Sequence, residues 1–325
     1  MRNHAMFTPA MQNQATQNPA MQNPADETQL SIPEAVLLGH ALVQRVADGL
    51  GIRAFFIKGP ASVVQGLRMP KMSVDVDVFV SPADLEALLN GMRERGWRDR
   101  PVDPDSRTFP KHSITIDHPS WPCCIDVHFR FPGMELDPAH SFETMWAHTE
   151  ALELAGQEVR VPSKALGILI LALHALRSPH LPACRQELVF LAELTERESL
   201  ADTILEISAA TGSVAAMRPF LEDHLPQEAS VEWPQPSTEW RNRLLAKEPG
   251  SARIIAIVQA PLRDKPKMLF RAVFPAPEVF LSGNLYADLS FRGRLRLQKA
   301  RWGKFVRSVP RIVRDLSQLR RARSR

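Results

Sequence analysis

Two aspartates one residue apart lie inside a β-branched run, Val74-Asp75-Val76-Asp77-Val78-Phe79-Val80. Successive strand residues point to opposite faces, so Asp75 and Asp77 share one face and Val74, Val76 and Val78 the other. Carboxylates this close on a half-buried surface repel each other and resist ionisation unless a cation neutralises them. A divalent metal is the simplest neutraliser. Mg²⁺ takes hard oxygen ligands, commonly one or two carboxylates with water and substrate phosphates completing its shell. A second alternating run, Cys124-Ile125-Asp126-Val127-His128-Phe129-Arg130, sets Asp126, His128 and Arg130 on one face. If the two strands are neighbours, Asp126 joins the pair as a third carboxylate. Upstream, apolar Ala54-Phe55-Phe56-Ile57 stops at Lys58-Gly59-Pro60, a turn carrying a cation, and a helical stretch follows from Ala61 to about Leu67. Strand, glycine turn and helix start expose backbone N–H groups that favour phosphate, and Lys58 adds a point charge.

The elements that must position these groups are legible in outline. From Ile32 an amphipathic helix runs through Ala35, Leu38, Ala41, Leu42 and Val46 and stops near Gly49-Leu50-Gly51. A further helix is predicted at 82–95, before Gly96-Trp97. A hairpin is predicted with arms Ala151–Leu154 and Glu158–Val161 around Ala155-Gly156-Gln157. Ser163 is placed to cap a long apolar helix, and the pattern from there to about 290 is helical, broken by Pro-rich loops near 226–237 and 261–277. His174, inside that apolar helix, reads as a core residue with its own hydrogen-bond partner. His112 and His128 are of a type that contacts phosphate or moves protons near neutral pH, and His128 shares the face of Asp126.

Composition bounds the class. The chain has 325 residues, enough for two domains. Cys123, Cys124 and Cys184 form neither a C-x-x-C pair nor an even disulfide set, which argues against structural zinc and fits a reducing cytoplasm. No apolar leader opens the sequence, and the longest apolar stretch, Ala165–Leu176, is short of the ~20 residues that span a bilayer. Residues 1–28 hold Pro-Ala-Met-Gln-Asn twice and are too polar to build a core, so a disordered segment is expected. Residues 291–325 carry thirteen lysines and arginines against one acid, Asp315, giving +12 where the rest of the chain carries −8. Trp302, Phe305, Val306, Val309, Ile312, Val313, Leu316 and Leu319 recur there at helical spacing, with Pro310 expected to kink or divide the helix. Such a segment either packs as a terminal helix or contacts an anionic surface: membrane, nucleic acid or acidic protein.

Taken together these residues resemble the uncharacterised nucleotidyltransferases of the DNA polymerase β-like superfamily. The resemblance rests on Ile57-Lys58-Gly59, then Asp75-Val76-Asp77-Val78, then Ile125-Asp126-Val127 in that order, with Lys71 before the acid pair, Gly96-Trp97 after a helix, and His128 just beyond the third acid. It covers about residues 35 to 200. It implies an α+β fold: a catalytic domain with a small mixed sheet at 29–162, a mainly helical domain at 163–290, and the basic segment 291–325. It further implies transfer of an NMP group from an NTP, ATP among them, to an acceptor hydroxyl or phosphate. Asp75, Asp77 and Asp126 are then the catalytic and metal-binding acids for Mg²⁺ or Mn²⁺, and Lys58, Gly59, Lys71 and His128 the nucleotide-binding set. The acceptor is a small molecule, a peptide or protein side chain, or an RNA end. Pro60 departs from the superfamily, which usually has Ser there, and removes a hydroxyl and an N–H. Lys71 stands where Arg is more usual and lacks its bidentate fork. Two other readings stay open: a binding module that keeps this fold without turnover, and a metal-dependent glycosyltransferase.

Overall fold

A computed structural model describes residues 30–102, 109–222, 224, 233–248, 250–281 and 287–323, with side chains as far as 312; the segment 1–28 lies outside them. The elements run α1 (Ile32–Leu50), β1 (Ala54–Phe56), α2 (Gly59–Val64), β2 (Asp75–Val80), α3 (Leu85–Arg93), β3 (Arg98–Asp99), β4 (Ser113–Asp117), β5 (Cys124–His128), α4 (Pro138–Ala147), β6 (Thr149–Leu154) and β7 (Gln157–Pro162). Helices follow: α5 (Lys164–Leu176), α6 (Pro182–Arg197), α7 (Ala201–Thr211), α8 (Val214–Leu221), α9 (Thr238–Leu245), α10 (Ser251–Gln259), α11 (Lys265–Val273), α12 (Glu278–Leu281) and α13 (Phe291–Arg323). The fold is α+β, with a small mixed sheet and a helical C-terminal region.

Local chemistry sets several boundaries. A reciprocal capping box between Ser31 and Glu34 starts α1, and Gly51 in the left-handed conformation ends it. Ala155-Gly156 joins β6 to β7 with both residues at positive φ, the signature of a tight hairpin turn whose twist matches its strands. Ser163 stands at the N-cap of α5 but its side chain makes no capping bond. α11 occupies part of the stretch read as a Pro-rich loop at 261–277. Its proline lies in the first helical turn, where no intrahelical N–H is lost. α13 continues through Pro310 as one helix, so that proline does not divide it.

Strand order in the main sheet is β1-β2-β5-β4-β3, with β2 and β5 parallel and the other pairs antiparallel. Val76, Val78 and Val80 of β2, with Ile125 and Val127 of β5, pack on α1 and α3 and on the hairpin side chains Leu154, Val159 and Val161. Phe55, Ile57 and Phe79 turn the other way, into a core with Phe142 and Met145 of α4 and the apolar body of α5. The sheet is therefore covered on both faces. Asp75 and Asp77 share the face of Phe79, at the edge of the second core, and β2 carries them there because its valines are claimed by the first.

Candidate active site

The parallel pairing of β2 and β5 places Asp77 directly opposite Asp126 and Phe79 opposite His128. One ligand atom from each of Asp77, Asp126 and His128 lies within 4.8 Å of the other two. Asp77 and His128 are buried, and Asp126 is half-buried with Oδ1 lacking a hydrogen-bond partner among the described residues. A buried carboxylate oxygen left without a donor is costly unless something else fills its lone pairs. The converging carboxylate oxygens of Asp77 and Asp126 suit a hard divalent cation such as Mg²⁺ or Mn²⁺, with the His128 ring beside them. Asp75 stands two residues before Asp77 on the same face, outside this trio.

Lys58 closes the group from the turn after β1. Its Nζ donates to Asp77 Oδ1 at 2.9 Å, and His128 Nε2 meets the same oxygen at 2.8 Å. An ionised carboxylate only accepts, so His128 carries a proton on Nε2, and its buried Nδ1 has no partner among the described residues. The turn that delivers Lys58 is strained: φ 61° and ψ −145° form a conformation that residues with a Cβ avoid. Gly59 follows at φ 52°. A Cβ at Gly59 would have room, its nearest neighbour being Ser73 Oγ at 3.6 Å, so the backbone angle rather than crowding calls for glycine.

The two aspartates of the pair behave oppositely. For Asp75, burial together with the charges of Asp77 and Asp126 raises the pKa, against the pull of Lys58. Burial pushes Asp77 the same way, but its hydrogen bond from His128 and the charge of Lys58 overcome that and hold its carboxyl well below the usual range. Repulsion, expected of both, is thus concentrated on Asp75. Burial pushes the thiols of Cys123 and Cys124 up to about 11, which leaves neither as a ready nucleophile.

Further groups reach the site from other elements. His40, on the buried side of α1, donates from Nδ1 to Val36 O at 2.7 Å. Its Nε2, unpartnered among the described residues, lies 3.9 Å from where a Gly59 Cβ would sit. The ring of His112 lies 5.9 Å from that of His128, and burial with the positive charges of His128 and Arg243 lowers its pKa to about 3. On α5, burial and the neighbouring Arg177 bring His174 down to about 2, and its Nδ1 has no partner among the described residues, contrary to the satisfied core histidine expected. Arg177, just past the end of α5, forms no ion pair with a carboxylate among the described residues. Burial and Arg243 lower its pKa to about 10, while Asp77 opposes the shift. An arginine this short of counter-charge, within electrostatic reach of Asp77, is a natural anion holder. Arg243 itself is occupied: Glu239 pairs with both Arg130 and Arg243, at 2.9 and 2.8 Å, tying the chain after β5 to α9. Lys71 is exposed on the loop before β2, and its charge reaches the Cys184 thiol. The fold thus gathers Lys58, Gly59, Asp77, Asp126 and His128, keeps Asp75 electrostatically coupled to them, and leaves Lys71 in solvent.

Among solved structures, the chain is similar to the antibiotic-resistance factor ANT(2'')-Ia in solution, at 13% identity and a TM-score of 0.37, over 58% of this chain and 95% of that one. It is also similar to an antigenic nucleotidyltransferase-like protein from Paracoccidioides brasiliensis, at 16% identity and a TM-score of 0.36, over 60% and 93%. No curated protein sequence matches. The family described as uncharacterised nucleotidyltransferase matches residues 39–197, a span that holds β1, β2 and β5 with Lys58, Asp75, Asp77, Asp126, His128 and Arg177. Over that span, 159 of its 325 residues, the chain is similar to the uncharacterised nucleotidyltransferase family.

Proposed function

We propose that this protein moves a nucleoside monophosphate from an NTP to an acceptor hydroxyl or phosphate, using a divalent cation at Asp77 and Asp126, with Asp75 and His128 completing the site. The observation that carries this reading is the register of β2 on β5, which sets Asp77 against Asp126, with the Lys58 ammonium on Asp77 and Arg177 within electrostatic reach. Mg²⁺ or Mn²⁺ held there would neutralise charge on the α-phosphate and on departing pyrophosphate. The chain's own groups have separate tasks. Asp126 Oδ1, buried and without a donor, takes the proton of the acceptor hydroxyl as its oxygen bonds to the α-phosphorus and the bond from that phosphorus to the β-phosphate oxygen breaks. His128 holds Asp77 in position through its Nε2–H. Lys58 and Arg177 bind the negative phosphates, and the Lys58-Gly59 turn lets them approach the backbone closely.

The test is incubation of the pure chain with each α-labelled NTP and Mg²⁺ or Mn²⁺, scoring transfer of label to the protein or to added acceptors together with pyrophosphate release. Label transfer that disappears in Asp77→Asn and Asp126→Asn supports the reading. Unchanged transfer in either variant would refute it. The non-catalytic reading draws support from Pro60, which removes an N–H from the first turn of α2. It is separated by the same assay: nucleotide bound with Mg²⁺, yet no label or pyrophosphate from any NTP.

A further inference from the structure

We propose that the C-terminal helices form a surface that docks on an anionic lipid bilayer, lying in its interface without crossing it. This rests on the far end of the chain and is independent of nucleotidyl transfer. α11 buries none of its residues, and Phe270 and, just past its end, Phe274 are each 64% exposed with their rings 5.0 Å apart. Leu262 and Leu269 are exposed beside them. Single exposed apolar residues are ordinary, but several on one short stretch mark a contact surface.

α13 shows the same on a longer scale. Phe291, Leu295, Trp302 and Val306 fall within about 60° of arc at 3.6 residues per turn, and Phe291 is 76% and Val306 62% exposed. Packing uses another side of the helix. Ser308 and Ile312 are buried, and Gln298 and Arg301 donate to the carbonyls of Val273 and Ala272 at 2.9 and 3.2 Å, holding α13 to the end of α11. Exposed Arg292, Arg296, Lys299 and Arg307 occupy the next arc, roughly 80–160° round from Phe291.

Charge selects the occupant. A second copy would set +12 against +12. A nucleic acid would match the basic residues and could stack on Phe291 and Trp302, but it would leave Leu295 and Val306 against phosphate. An anionic bilayer satisfies both arcs, its headgroups pairing with the bases while Phe, Leu, Trp and Val enter the acyl boundary. Among the described residues no helix is long and apolar enough to cross a membrane, so the contact is at the surface.

The experiment is co-sedimentation of the full chain with vesicles of phosphatidylcholine alone and with phosphatidylglycerol added, over a series of salt concentrations. Binding is expected only with phosphatidylglycerol, weakening as salt rises. The double variants Phe270→Ser/Phe274→Ser and Trp302→Ser/Val306→Ser should each weaken it roughly tenfold, and Arg292→Gln/Arg296→Gln/Lys299→Gln by about as much. These side chains are exposed, so an unchanged unfolding midpoint certifies that each variant is folded. Full vesicle binding by both apolar variants overturns the proposal. So does binding confined to a single-stranded RNA oligonucleotide and lost only with the bases, which assigns the surface to nucleic acid. Self-association abolished by the apolar substitutions, with no vesicle binding, overturns it in favour of a second copy.

Discussion

At the scale of single residues, the site turns on how unequally its carboxylates are treated. Asp77 is satisfied by Lys58 and His128, whereas Asp75 carries the repulsion. Asp77→Asn should therefore destabilise the metal-free protein by about 3 kcal/mol, because it strands a buried lysine. Asp75→Asn should leave stability unchanged or raise it by up to about 1 kcal/mol. Urea denaturation of both variants checks this, and losses of equal size would show that the asymmetry is not real. The strained backbone of Lys58 supplies a second contrast. Lys58→Ala loses the ion pair and keeps the strain, while Lys58→Gly loses both, so the glycine variant should be the more stable by about 1–3 kcal/mol. Residue types and order were enough to find Lys58, Asp75, Asp77, Asp126 and His128 in the sequence, since alternation assigns faces. His112 stands out in the sequence by residue type, but Arg177 and His40 do not, because nothing in local periodicity says which distant helix will arrive at a given face.

Among the elements, α1 lies so close to β2 that a Cβ on Gly39 would sit 2.9 Å from Val76 Cγ2. Val76 stands between the two aspartates, so this contact helps fix the height of β2 in the sheet. Gly39→Ala should cost about 1–3 kcal/mol through overpacking and reduce nucleotide binding by tilting β2. Adding Val76→Ala should cost less than the two single changes together, since the methyl then has room. Additive losses would show that the contact does not constrain the strand. Elements with paired signals are the legible ones: α1 by its apolar period and glycine stop, β2 and β5 by alternation, the β6–β7 hairpin by its turn. α11 was hidden by a proline that reads as a breaker when its place in the first turn is unknown. β4 is hard to see in the sequence although Ser113-Ile114-Thr115-Ile116-Asp117 alternates, because histidines and prolines crowd both ends and make the run look like loop.

Across the whole molecule, neutral histidines that are partly or fully buried should govern the acid limb of stability. His112 and His174 are held at about 3 and about 2, and burial lowers His40 as well. Between the unfolded value near 6.5 and those lowered values, the unfolded chain takes up protons that the folded chain refuses, so stability falls as the pH drops. Each of the two lowest should contribute a loss of about 2 kcal/mol by pH 5. Asp77, by contrast, is lowered, and its contribution disappears only below the ordinary carboxylate range near pH 4. Denaturation midpoints from pH 8 to pH 5 should therefore decline already below about 6.5, and His174→Leu should flatten the slope; a flat profile in the parent chain would contradict it. The bond from Lys58 to Asp77 has a further consequence for how ligands assemble. A cation sharing Asp77 Oδ1 obliges the lysine to find another anion, and a triphosphate is one. Cation and nucleotide should then bind cooperatively, and linkage requires each to tighten the other by the same factor. Calorimetric titrations of Mn²⁺ with and without a non-hydrolysable NTP should differ by roughly tenfold or more in affinity. In Lys58→Ala the gap should narrow and the bare ion bind better. The protein would then keep no resident ion between turnovers, and its metal would come and go with the nucleotide as part of the substrate.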